Sequence, residues 1–173
     1  EKGARADMNN IILIGMPGSG KSSVGRKLAK RLRRPLIDTD RMVEQAEGQS
    51  IPQLFAVLGE PYFRDVETRC VQEAAQMDGV IISTGGGVIL RPENMETLKR
   101  SGTVFFLDRP PSKILARAQL GDRPLIRESR NSMMSLYQQR IGLYQMYADV
   151  RIKNQRYAKQ AVLKILAHCK TRC

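Results

Sequence analysis

No stretch of this 173-residue chain approaches the roughly 18–20 uninterrupted apolar residues that a membrane-spanning helix requires. The longest apolar runs, such as residues 79–82, are strand-sized, so no membrane span is expected. Cysteine is scarce: Cys70, Cys169 and Cys173 form no CxxC pair, and an odd number suits a disulfide framework poorly. That points to a reducing compartment, with the cytoplasm as the expected location. The first ten residues have neither an apolar core nor a small-residue cleavage pattern, so no signal peptide is expected, and Met8 is the expected natural start. Internal repeats, low-complexity tracts and linkers are also missing, which leaves one compact domain over residues 1–173 as the expected organisation. The rest of the composition, 42% hydrophobic and 27% charged, is that of an ordinary globule.

Acidic residues run short in one region. Residues 1–108 carry 15 basic and 14 acidic groups, whereas residues 109–173 carry 14 and 3. Such a skew attracts anions without choosing among nucleic acid, anionic lipid and small phosphorylated or carboxylated ligands. Base stacking is poorly provided for. The aromatics of the basic region are Tyr137, Tyr144, Tyr147 and Tyr157, and three of them sit at spacings that suit the packed face of one helix.

Apolar periodicity predicts strands at residues 11–14, 36–37, 79–83, 103–107 and 150–152. Helices are expected over 22–32, 92–100, from Pro111 to about Gln119, over 132–147 and over 158–168, with residues 121–130 as a loop. Between Arg41 and Met77 the helical pattern is broken by Gly48, Pro52, Gly59 and Pro61, which predicts several short helices. Met133, Met134 and Met146 read as helix packing, and the lone His168 as a solvated residue near a helix end. Strands alternating with helices predict an α/β fold, a parallel sheet covered on both faces with its ligand at the carboxyl ends of the strands.

The strongest chemical signal is Gly15-Met-Pro-Gly-Ser-Gly-Lys21-Ser22, a full GxxxxGKS between an apolar strand and a helix. Gly18, Ser19, Gly20, Lys21, Ser22 and Ser23 form the expected cradle for the phosphates of a nucleoside triphosphate. Its backbone N–H groups turn inward, and the helix N-terminus adds positive potential. Lys21 would reach the β and γ phosphates, and the Ser22 hydroxyl would ligate Mg²⁺. No Asn-Lys-x-Asp guanine-reading signature occurs, and no later apolar strand ends in a plain Asp-Glu pair, which argues against a GTPase and many ATPases. Asp38 and Asp40 close the second strand, and a spacing of two would put both carboxylates on one face of it. One could hold Mg²⁺ while the other accepts the proton of an attacking hydroxyl; equally, one could merely cap the helix that follows.

Taken in order, the phosphate loop, Asp38-Thr-Asp40, Phe63-Arg64 with Glu67, Gly85-Gly-Gly87, Arg123-Pro-Leu, and Arg140 with Leu143-Tyr144 resemble the shikimate kinases, from about Asn10 to the last helix. The resemblance implies a three-layer α/β/α P-loop kinase with a five-stranded parallel sheet in the order 2-3-1-4-5. Its substrate-binding helices would cover about 39–66 and its lid about 119–130. The implied reaction moves the γ-phosphate of ATP to the 3-hydroxyl of shikimate. Asp40 would orient or deprotonate that hydroxyl, and Arg64 and Arg140 would grip the carboxylate, with Glu67 orienting Arg64. Gly86 and Gly87 would offer backbone N–H groups, and Phe63 an apolar wall. Asp38 and Ser22 would place Mg²⁺, and Lys21 with Arg123 would neutralise the transferring phosphoryl group. Arg117 and Arg156 would contact the adenine. A monomer acting on a small molecule is expected, with no nucleic-acid or membrane partner. Two rivals keep the phosphate loop: another small-molecule kinase such as a gluconate kinase, and a nucleic-acid-binding ATPase module, the latter motivated by the basic final third.

Overall fold

The structure is a computed structural model that describes residues 9–118, 126–154 and 158–170, with the backbone alone for residues 117, 118 and 126–130. Arg123 and Arg156 therefore lie outside the described residues, as do most of the expected lid and Cys173, and nothing is described of the Arg117 side chain.

Five strands form one parallel sheet in the order β2-β3-β1-β4-β5: β1 (Asn10–Ile14), β2 (Leu36–Asp38), β3 (Ile81–Ser83), β4 (Gly102–Asp108) and β5 (Val150–Lys153). Strand periodicity explains how two cores are built from one sheet, because successive side chains leave opposite faces. Ile12, Ile14, Ile82, Val104 and Phe106 point to one side, where they meet Val71 and Ala74 of α3 (Ile51–Ala75), Met95 and Leu98 of α4 (Pro92–Ser101), and Tyr144 of α6 (Ile126–Tyr147). Ile11, Leu13, Ile81, Phe105 and Leu107 point to the other, against Val24 and Leu28 of α1 (Lys21–Leu32) and Ala161, Val162 and Ile165 of α7 (Ala158–Lys170). Both faces are covered, as an all-parallel sheet demands. Two further helices complete the set, α2 (Thr39–Glu47) and α5 (Pro111–Ala118), and a small third cluster joins Val43 of α2 to Leu54, Phe63, Val66 and Cys70 of α3.

One expectation is met and others are corrected. Between Arg41 and Met77 the helical pattern is broken as expected: α2 ends at Gly48, and α3 is two helical stretches on either side of Gly59, whose backbone is non-helical (φ 79°, ψ 170°). Only glycine adopts that backbone easily, and Pro61 fits there because it falls in the first turn after the break. The last α/β crossover helix begins at Ile126 and not at Ser132, so residues 126–130 are helical where a loop was expected. His168 is not a solvated end residue; its ring packs edge-on against Phe105 at 5.5 Å. Met134 and Met146 are exposed, so of the three methionines only Met133 packs against the core.

Candidate active site

A cavity of about 440 Å³ opens at the carboxyl ends of β1, β2 and β3, lined by Pro17, Gly18, Gly20–Ser23, Asp38, Asp40, Ser83, Thr84 and Gly86. The loop between β1 and α1 forms one wall. Gly20 stands at the N-terminus of α1 in the left-handed region (φ 98°) without a side-chain cap, and the first turn contains no acidic residue. The helix-end N–H groups and their partial positive charge are thus left for an anion. Lys21 lies across this loop, its Nζ donating to the Gly15 carbonyl at 2.8 Å and the Met16 carbonyl at 2.9 Å. Burial lowers its ammonium to about 8, against the pull of Asp40 and Asp38, which keep it charged.

Asp38 and Asp40 do not share a strand face. β2 stops at Asp38, whose carboxylate caps α2: Oδ1 accepts from the N–H groups of Asp40 (3.1 Å) and Arg41 (3.4 Å). Capping outcompetes strand continuation because it satisfies the orphan donors of the helix start. Both acids still line the cavity. The other oxygen of Asp38 accepts from the Ser22 hydroxyl at 3.3 Å, which places two hard oxygen ligands together beside Lys21. Burial, reinforced by Asp38, raises the carboxyl of Asp40, with Lys21 and Arg64 opposing.

The glycine loop after β3 borders the cavity through Gly86, and α3 packs against that loop without lining the cavity itself. A Cβ on Gly85 would lie 2.6 Å from Asp40 Oδ1 and 2.9 Å from Glu67 Oε1, and one on Gly87 would overlap the Arg64 guanidinium. No residue but glycine lets these side chains approach so closely. Glu67 is almost wholly buried and binds Arg64 Nη1 through Oε2 at 2.6 Å, while exposed Glu60 takes Nε and Nη2 at 3.1 and 3.0 Å. Burial raises the Glu67 carboxyl, and the Arg64 charge opposes it. The Phe63 ring is nearly fully covered, and the Arg64 guanidinium carbon sits 4.9 Å from its centroid. Arg140, half-buried on α6, is close enough to act electrostatically on Lys21, Glu67 and Tyr144.

Four polar groups of the site escape a reading of the sequence. Ser83 and Thr84 line the cavity at the end of β3, where their small polar type before three glycines is the available signal. Asn154, just past β5, donates to the Ser19 carbonyl at 2.8 Å, and Arg109 follows β4 beside Gly20. Neither has a local motif. Among the described residues no group of three or more His, Cys, Asp or Glu side chains could hold a metal, and no helix is long and apolar enough to cross a membrane.

The comparisons with known proteins point to one family. The shikimate kinase family model matches residues 17–170. A shikimate kinase of Clostridium beijerinckii is 41% identical over 148 residues, 86% of this chain and 87% of that one. One from Pseudomonas syringae pv. tomato is 40% identical over 164 residues, 92% and 95% of the two chains. The solved shikimate kinase from Acinetobacter baumannii in complex with shikimate superposes with a TM-score of 0.87 at 34% identity, covering 95% and 94%. A gluconokinase from Sinorhizobium meliloti shares the fold alone, at 17% identity and a TM-score of 0.64. With the family model spanning residues 17–170 and relatives about two-fifths identical over most of both chains, the chain belongs to the shikimate kinase family.

Proposed function

We propose that this chain transfers the γ-phosphate of ATP to the 3-hydroxyl of shikimate, giving shikimate 3-phosphate and ADP. One observation carries the reading: Asp40 borders the cavity that holds Lys21, its Oδ1 and Glu67 Oε1 both flank Gly85, and Glu67 in turn holds Arg64. Asp40 and Gly86 of the expected acceptor side thus border the same space as the phosphate loop, while Arg64 and Arg140 are not among the residues that line it.

In this reading the backbone N–H groups of the loop and of the α1 N-terminus bind the phosphates, and Lys21 exchanges its two carbonyl partners for phosphate oxygens. Arg64 and Arg140 hold the carboxylate of shikimate, since planar guanidinium groups bind carboxylates bidentately. Glu67 and Glu60 aim Arg64, and Phe63 supports it from beneath. Asp40 accepts a hydrogen bond from the reacting hydroxyl and takes its proton as the oxygen attacks phosphorus. Arg123 and Arg156 fall outside the described residues, and of Arg117 only the backbone is described; charge neutralisation by Arg123 and adenine contact by the other two rest on the family resemblance. Phosphoryl transfer asks the protein mainly for alignment and charge compensation.

Ser22 and Asp38 suit Mg²⁺, a hard ion that prefers oxygen and keeps much of its water, because their two oxygens lie 3.3 Å apart at the cavity. When bound, the ion would offset negative charge on the transferring phosphates. Asp38→Asn should raise the Mg²⁺ concentration for half-maximal activity by about tenfold, and leave the melting temperature almost unchanged because asparagine caps a helix as well as aspartate. An unaltered Mg²⁺ dependence would remove Asp38 from the metal site.

A panel of acceptor alcohols in an ADP-release assay tests the function. Shikimate should drive ADP release well above the rate with MgATP alone, and gluconate should not. The reverse preference would move the chain to the other kinase. A salt-sensitive gel shift with nucleic acid, together with acceptor-independent ATPase activity, would favour the nucleic-acid-binding module.

A further inference from the structure

We propose that Tyr144 is a positioning residue of the acceptor site: its hydroxyl fixes the plane of the Gly86–Gly87 peptide, and that plane decides where the Gly87 N–H points. The proposal rests on the reading of Gly86 and Gly87 as part of the acceptor pocket.

Tyr144 is fully buried, and its hydroxyl donates to the Gly86 carbonyl at 2.6 Å. The ring cannot drift, because it stacks on Phe106 with centroids 5.0 Å apart and planes 15° from parallel. The Gly86 carbonyl and the Gly87 N–H belong to one planar trans peptide, so they point in opposite directions. With the carbonyl drawn to Tyr144, the N–H is turned away from it. Among the described residues no protein group accepts from that N–H, which leaves it for a ligand oxygen. Glycine alone would leave this peptide free to rotate, since neither residue has a side chain to restrain it. A buried hydroxyl from α6 supplies the restraint.

Two neighbours make the contact more than a packing detail. Arg140 lies one helical turn before Tyr144 and acts on the phenol electrostatically, so the hydroxyl sits between the glycine loop and one of the proposed carboxylate-binding arginines. Burial pushes the phenol up to about 12, which keeps it a donor at any working pH. On its other side Gly86 meets the phosphate loop: a Cβ there would lie 2.6 Å from Pro17 Cδ. Removing the hydroxyl leaves the Pro17 contact in place, so the acceptor side should suffer and the nucleotide side should not.

Tyr144→Phe keeps the ring and its stacking and deletes only the hydrogen bond. The variant should raise KM for shikimate about tenfold while KM for ATP stays within about twofold. General loss of stability would instead lower the active fraction, hence kcat, and spare both KM values. If the wild type is active with shikimate and the variant matches it in KM, the positioning role is overturned; if the wild type itself ignores shikimate, it is the acceptor assignment that fails. Should the variant not fold, ¹⁵N-labelled wild-type protein decides the matter. Shikimate should shift the Gly87 amide resonance and slow its hydrogen exchange, and an unmoved Gly87 amide overturns the proposal.

Discussion

Asp40→Asn should lower kcat with shikimate by about 10²–10⁴-fold and leave ADP binding within about twofold of wild type, as read by steady-state assay and nucleotide titration. Asparagine has the same shape, and the backbone N–H at this position remains bound to Asp38, so α2 still starts where it does. What is lost is the ability to accept a proton. The surroundings favour proton uptake, because burial and the neighbouring carboxylate of Asp38 raise the proton affinity of Asp40, while Lys21 and Arg64 keep it from climbing far. Its Oδ1 also approaches Gly85 closely enough that alanine there would displace it. A variant with kcat within fivefold of wild type would take Asp40 out of the chemistry and leave it a hydrogen-bonding contact at most.

The parts legible in the sequence are those whose partners are close in sequence or whose pattern is periodic. The phosphate loop is one contiguous motif between a strand and a helix, and strand alternation along β1 and β4 already says which side chains meet which helix layer. The order of the strands is a non-local property and comes from the family resemblance. Asp38-Thr-Asp40 reads as strand because alternation and helix capping both accept Asp at such positions; β2 has only three residues, too few to outweigh the capping bonds. Gly59 and Pro61 signal a break, and the break is there: Gly59 is non-helical between two helical stretches. Asn154 is invisible to local pattern: its partner, the Ser19 carbonyl, is 135 residues away, and nothing nearby in the sequence distinguishes it from a surface asparagine.

Arg64→Ala should have two separable consequences, and their separation tests the site most sharply. Shikimate binding should weaken by about 2–5 kcal/mol, roughly 30-fold to several thousand-fold in KM, because a carboxylate loses a desolvated guanidinium partner. Stability should fall as well, since Glu67 is left with its carboxylate buried and its one strong partner gone; breaking such a pair costs about 3–5 kcal/mol and should drop the melting temperature by roughly 10 °C. The double variant Arg64→Leu/Glu67→Leu removes both charges at once. Replacing a buried pair by apolar groups is often neutral, so it should recover most of the lost stability. It should recover none of the shikimate binding, because no guanidinium returns beside Gly87. If the double variant regains KM along with its melting temperature, Arg64 serves only to compensate Glu67, and the carboxylate of the acceptor is held elsewhere.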